Sequence, residues 1–195
     1  DLKHPGLGLT QEDARLALWG KLQKRFLANH VSASPIAQNT VYERAIKMMR
    51  SEAAKAFDLS DESDETRKAY GTGRFGQGCL MARRLIERGV PFIEVSLRGT
   101  QGGALGWDTH TQNFSRVKSL STELDNGWGT LMTDLSERGL LEHTTIIWLG
   151  EFGRTPTLTA NRTGGGRDHY PKAWTTVLAG GGIKGGQAYG STDAG

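Results

Sequence analysis

Two loops of this sequence hold side chains that could bind a metal ion. Asp108 and His110 stand two apart in Trp107-Asp108-Thr109-His110. In an extended segment such side chains lie on the same side, so both can grip one ion. The plainer alternative makes Asp108 the cap of a helix beginning near 113 and leaves His110 exposed. Glu151, in Gly150-Glu151-Phe152-Gly153-Arg154-Thr155-Pro156, follows an apolar run. A carboxylate there is costly unless a cation or metal meets it; the plainer alternative is a surface ion pair with Arg154. Asp168 and His169 are adjacent in Gly166-Arg167-Asp168-His169-Tyr170-Pro171. Neighbouring side chains point apart, so one would ligate while the other orients a neighbour or meets a second ion; the plainer alternative is an ordinary polar loop. The ligand candidates are therefore Asp108, His110, Glu151, Asp168 and His169. A mixed imidazole and carboxylate set suits Zn²⁺ or Mn²⁺, and an oxygen-only set suits Mg²⁺ or Ca²⁺. Arg154 and Arg167 stand beside these ligands, and arginine forks around phosphate or sulfate oxygens.

The elements that must position these loops follow from hydrophobic spacing. Leu16, Leu18, Trp19, Leu22, Phe26 and Leu27 predict a helix over 10–30, opened by Thr10, Glu12 and Asp13. Val41, Ala45, Ile46, Met49 and Ala53 predict a second over 38–56. The acidic stretch 57–70 reads as a solvated connection with a short helix. A helix over 75–88 closes at Gly89, and a long one over 113–138 closes at Gly139. Strands are expected at 90–97 and at 144–149, the latter apolar enough for burial on both faces. A third is expected at 174–179, and a short one near Gln187-Ala188-Tyr189. This order is α/β, and in open α/β sheets sites lie beyond the carboxyl ends of strands. The loops 98–112 and 150–172 both follow strands.

Composition narrows the classes. The chain has 195 residues, a net charge of +3 and 36% hydrophobic residues, which fits a folded domain rather than a disordered one. The basic residues form no dense stripe, so no nucleic-acid partner is expected. No apolar run is long enough for a membrane span. Of 27 glycines, 19 fall after residue 98, which predicts a mainly helical part over 1–89 and a strand-loop part over 90–195 of one domain. The single cysteine, Cys79, excludes an internal disulfide and a cysteine-rich zinc site. His4, His30 and His143 have no clustered acidic partner. The Gly180–Gly186 run GGGIKGG lacks the P-loop pattern, and no GxSxG elbow is present.

The motifs WDTH (107–110), GEFGRTP (150–156), GRDHYP (166–171) and AGGGIKGGQAYGSTD (179–193) resemble the DUF1501 family of bacterial proteins, related to sulfatases and the alkaline phosphatase superfamily. AFDLSDE (56–62), RKAYG (67–71) and FGQGCLMARRLIERGVPFIEV (75–95) fit the same family, so the resemblance covers nearly the whole chain. It implies an alkaline-phosphatase-like α/β fold, a mixed sheet flanked by helices, of which this chain is a partial domain cut at both ends. It implies a metal-dependent hydrolase of small sulfate or phosphate esters, with Asp108 and His110 as one ligand pair. Glu151 and Phe152 stand where sulfatases carry Asp-His, a departure that His169 would make good. Arg154 or Arg167 would stabilise charge on the transferring group. The superfamily nucleophile lies before these motifs and nothing in this chain matches it. Family members carry a twin-arginine export signal, so an exported, periplasmic or extracellular, location is expected. The competing expectation is a non-catalytic exported binding or surface module that keeps the fold, with Glu151 and Asp168 in structural ion pairs.

Overall fold

A computed structural model describes residues 8–50, 52–98 and 106–192. The chain divides into two compact units, Asp1–Asp58 and Leu59–Gly195.

The first unit is a helical hairpin. Helix α1 (Leu9–Asn29) begins at Gly8 with no side-chain cap, so Thr10 lies inside the helix instead of opening it. Helix α2 spans Ala33–Met49 and a 3-10 stretch follows at Glu52–Phe57, so the expected single helix over 38–56 starts earlier and breaks near residue 50. The Trp19 and Tyr42 rings lie 5.5 Å apart, and Arg50 pairs with Asp13. Packing is thin: α2 buries no residue fully.

The second unit carries the core and the site. Ser63 caps α3 (Asp64–Ala69), its hydroxyl accepting from the Thr66 N–H at 3.1 Å. Helix α4 (Arg74–Ile86) packs along α5 (Asn113–Glu137). Their close approach requires glycine, since a Cβ on Gly127 would lie 2.9 Å from Phe75 Cδ1; one on Gly76 would lie 1.9 Å from the Tyr70 carbonyl oxygen at the end of α3. Tyr70, Phe75, Cys79, Leu80, Leu131 and Leu135 form the buried centre. Burial there pushes the Cys79 thiol up to about 12. Both expected glycine stops hold. Gly139 has φ +66°, and the Leu140 N–H reaches the Leu135 carbonyl at 2.8 Å, as a Schellman end requires. Gly89, at φ +72°, closes α4 the same way, with Val90 bonded to Leu85.

An ionic layer lies beside this core. Arg83 and Arg84 are almost fully buried. Glu62 accepts from Arg83 Nη2 at 2.6 Å and also from Arg84, while Arg83 Nη1 reaches Glu87 at 3.1 Å. Asp134 accepts from the Tyr70 hydroxyl at 2.8 Å and from Arg138 Nε at 2.5 Å. The acidic stretch is therefore not wholly solvated. Glu62 turns inward, because two arginines on one turn of α4 point to the same place.

The strands are shorter than expected and not all where expected. β1 (Thr145–Trp148) pairs antiparallel with β4 (Val177–Gly180), Ile147 opposite Leu178. β2 (Gly153–Arg154) pairs antiparallel with β3 (His169–Tyr170). The fold is α/β in the broad sense, but among the described residues its sheets are two antiparallel two-stranded ladders and not one mixed sheet. β1 is not buried on both faces, since Ile147 is 56% exposed while Ile146 packs on the core. Segment 90–97 alternates as a strand should, with Val95 and Leu97 packed inward and Phe92 83% exposed. Among the described residues it pairs with no strand, so it is extended chain. Residues 187–189 also form no strand, and Tyr189 is fully exposed. Among the described residues no helix is long and apolar enough to cross a membrane.

Candidate metal centre

Two loops meet at the start of α5, and backbone hydrogen bonds join them. The Arg167 N–H donates to the Thr109 carbonyl at 3.1 Å, the Gln112 N–H to Thr163 at 3.0 Å, and the Asn113 N–H to Gly165 at 2.9 Å. The opposite loop thus accepts from the first N–H of α5, and Asp108 does not cap that helix. Contact is tight at Gly166, where a Cβ would lie 1.8 Å from the His110 carbonyl oxygen. Thr109 is buried, and its hydroxyl donates to Asn113 Oδ1 at 2.6 Å. That anchor sends the side chains on either side of it, Asp108 and His110, outward together.

The β2–β3 ladder supplies the facing side. Arg154 and His169 are directly opposite in its register. Arg167 braces the ladder's far loop, its Nη1 donating to the carbonyls of Thr155 at 2.5 Å and Pro156 at 2.7 Å. Phe152 lies 4.5 Å from the His169 ring, centre to centre, and limits its rotation.

Three ligand-type atoms converge where the loops meet. His110 Nε2 lies 3.0 Å from Asp108 Oδ1, His169 Nε2 lies 3.2 Å from the same oxygen, and the two imidazole nitrogens are 3.1 Å apart. Asp108, His110 and His169 are the described group able to hold a metal ion. An equilateral triangle of that edge has its corners about 1.8 Å from its centre, within reach of the ~2.0–2.1 Å bonds zinc makes to such atoms. The residues present therefore fit a divalent metal ion.

The surrounding charges keep the carboxylates ionised. Arg154 Nη2 donates to Asp108 Oδ1 at 2.6 Å. That bond, against the upward push of burial and with help from His169, holds the Asp108 carboxyl below its usual range. Asp168 is held low by the Thr159 hydroxyl first and then by His110. Its Oδ1 lies 2.8 Å from His110 Nδ1 and its Oδ2 accepts from Thr159 at 2.7 Å.

Of the five ligand candidates, Asp108, His110 and His169 converge. Asp168 sits one bond further out, behind His110. Glu151 is exposed and lies outside the group, and Arg154 pairs with Asp108 and not with Glu151. Of the two arginines, Arg154 touches the triangle while Arg167 holds the loop. Spacing gave no sign of Thr159 and Arg162, which brace Asp168. Both lie in a polar loop whose bend alone brings them there.

The family model for DUF1501, a protein family of unknown function, matches residues 2–195, so the chain belongs to that family. No curated protein and no solved structure matches it.

Proposed function

We propose that this DUF1501 chain carries the metal centre of a hydrolase acting on small sulfate or phosphate esters, of the sulfatase and alkaline phosphatase kind. The observation that carries the reading is the triangle of Asp108 Oδ1, His110 Nε2 and His169 Nε2, with edges of 3.0, 3.2 and 3.1 Å and an arginine against it. A bound dication would polarise an ester oxygen and lower the pKa of a coordinated water. The chain's own residues do the rest. Asp108 and the two imidazoles would hold the ion and leave a position open to substrate. Arg154 places a fixed positive charge beside that opening, with guanidinium donors beyond those given to Asp108 and to the Arg167 carbonyl. Such a charge favours an anionic ester and the charge developing on it. Phe152 covers one side of His169 and makes that wall apolar. Export of the protein belongs to the same reading, through the twin-arginine signal of family members.

One observation favours a second reading. The Arg154–Asp108 ion pair at 2.6 Å already neutralises the carboxylate without a metal ion. The site would then be a structural ion-pair cluster in a non-catalytic exported binding module.

Zinc titration by calorimetry, followed by p-nitrophenyl phosphate and p-nitrophenyl sulfate assays, separates them. One zinc per chain, lost in the His110→Ala/His169→Ala double variant, is the expected result. Hydrolysis that survives in that variant would overturn the assignment. A chain that retains no zinc and releases no nitrophenol supports the second reading.

A further inference from the structure

We propose that Asp168 is a positioning residue: it fixes the His110 proton on Nδ1 and so keeps the Nε2 lone pair aimed at the triangle. The consequence for metal affinity rests on the metal reading above; the proton assignment does not. An ionised carboxylate can only accept hydrogen bonds. At 2.8 Å from Asp168 Oδ1, Nδ1 must therefore be the donor. In a neutral imidazole the other nitrogen is then left unprotonated; it accepts from His169 Nε2 at 3.1 Å, whose proton also faces Asp108 Oδ1 at 3.2 Å.

Asp168 is itself held on several sides, as a residue that sets another's geometry must be. Thr159 donates to Oδ2 at 2.7 Å and Arg162 Nη2 lies 3.0 Å from Oδ1. The Asp168 N–H donates to Thr155 Oγ1 at 3.1 Å, and its carbonyl accepts from the Thr155 N–H at 3.0 Å. His169 has no equivalent: among the described residues no hydrogen bond reaches its Nδ1, and its side chain is 52% exposed. The two imidazoles are thus unequal. The Asp168-His169 pair divides its labour, with His169 facing the triangle and Asp168 facing the back of His110. A carboxylate behind a ligating histidine both orients the ring and raises its basicity, and losing one costs typically 10–100-fold in metal affinity.

The test is the imidazole ¹⁵N–¹H correlation spectrum of the metal-free chain at pH 8, with zinc affinity measured beside it. In the unsubstituted chain the expected His110 pattern is a protonated Nδ1 and an unprotonated Nε2. In Asp168→Ala the expected proton sits on Nε2, and zinc binds roughly 10–100-fold more weakly. Asp168→Asn, which preserves shape, guards against a folding defect and should lose the single Nδ1–H pattern. Glu142→Gln, at an exposed carboxylate outside the site, should hold zinc within about twofold. A residue that only supported the loop would not move the tautomer. His110 protonated on Nε2 in the unsubstituted chain, or a tautomer unchanged in both Asp168 variants, overturns the proposal. An Nδ1–H tautomer that depends on Asp168 in a chain that binds no zinc upholds the positioning and removes the metal reading instead.

Discussion

Replacing Glu62 by Gln should cost this chain about 3 kcal/mol of stability, on the scale of breaking a buried ion pair. The figure follows from what Glu62 holds. Its side chain is 12% exposed, and those of Arg83 and Arg84 are 3% and 5% exposed. A glutamine keeps one accepting oxygen, so one hydrogen bond persists. It loses the negative charge and the second acceptor, and the bonds concerned are charge-assisted, worth roughly 1.5–3 kcal/mol each. Arg83 keeps Glu87 and the nearby Asp134, which limits the loss. Breaking a buried pair outright costs ~3–5 kcal/mol, so the expected value sits at the lower end. In urea, with a slope of about 1–3 kcal/mol per molar, the midpoint should fall by roughly 1–3 M. Glu142→Gln is the control: its side chain is 75% exposed beside His143, and its effect should stay within about 0.5 kcal/mol. If Glu62→Gln shifts the midpoint no more than Glu142→Gln does, the acidic stretch is solvated and the ionic layer does not hold α4 against the chain before it.

Two further outcomes are expected. Gly166→Ala should lower zinc affinity more than tenfold with little change in helix content by circular dichroism, because its Cβ would lie 1.8 Å from the His110 carbonyl oxygen; Gly182→Ala, strained at φ +78° but with open space around it, should cost only about 1 kcal/mol and leave zinc binding unchanged. Stability should fall in acid. Burial raises the Glu62 and Asp134 carboxyls, but hydrogen bonds to Glu62 from Arg83 and Arg84, and to Asp134 from Arg138 and Tyr70, outweigh it and leave both below their ordinary values of 4.5 and 3.8. Groups held low in the folded state contribute stability that is present above the ordinary value and lost as pH falls through the folded one. The thermal midpoint should therefore decline from near pH 4.5 downward, and less steeply in Glu62→Gln; a midpoint rising on acidification would contradict it.

What the sequence made legible was local. The α5 stripe from Val117 to Leu135 marks its helix to within a residue at either end, because helical spacing and a Schellman glycine are written in adjacent residues. Segment 90–97 has the alternation and β-propensity of a strand, yet a strand also needs a partner, and partners are not local. The same reason hid β2 and β3. Two residues each carry no periodic signal, though their pairing sets Arg154 opposite His169. Glu62 was misplaced because composition cannot tell an acid facing water from one facing two inward arginines.

The site divides along the same line. Trp107-Asp108-Thr109-His110 and Arg167-Asp168-His169 announce ligand chemistry by residue type, but type does not say which atoms meet. Adjacent residues must point apart, so only one of Asp168 and His169 can face a given ion. Which one is decided by the Thr109–Arg167 backbone bond and by the contact at Gly166, where no side chain fits. These place His169 over Asp108 and turn Asp168 behind His110. The glycine run before Arg167 lets one loop lie flat against the other. Without that approach, the same five ligand-type residues would be scattered acids and imidazoles on a surface.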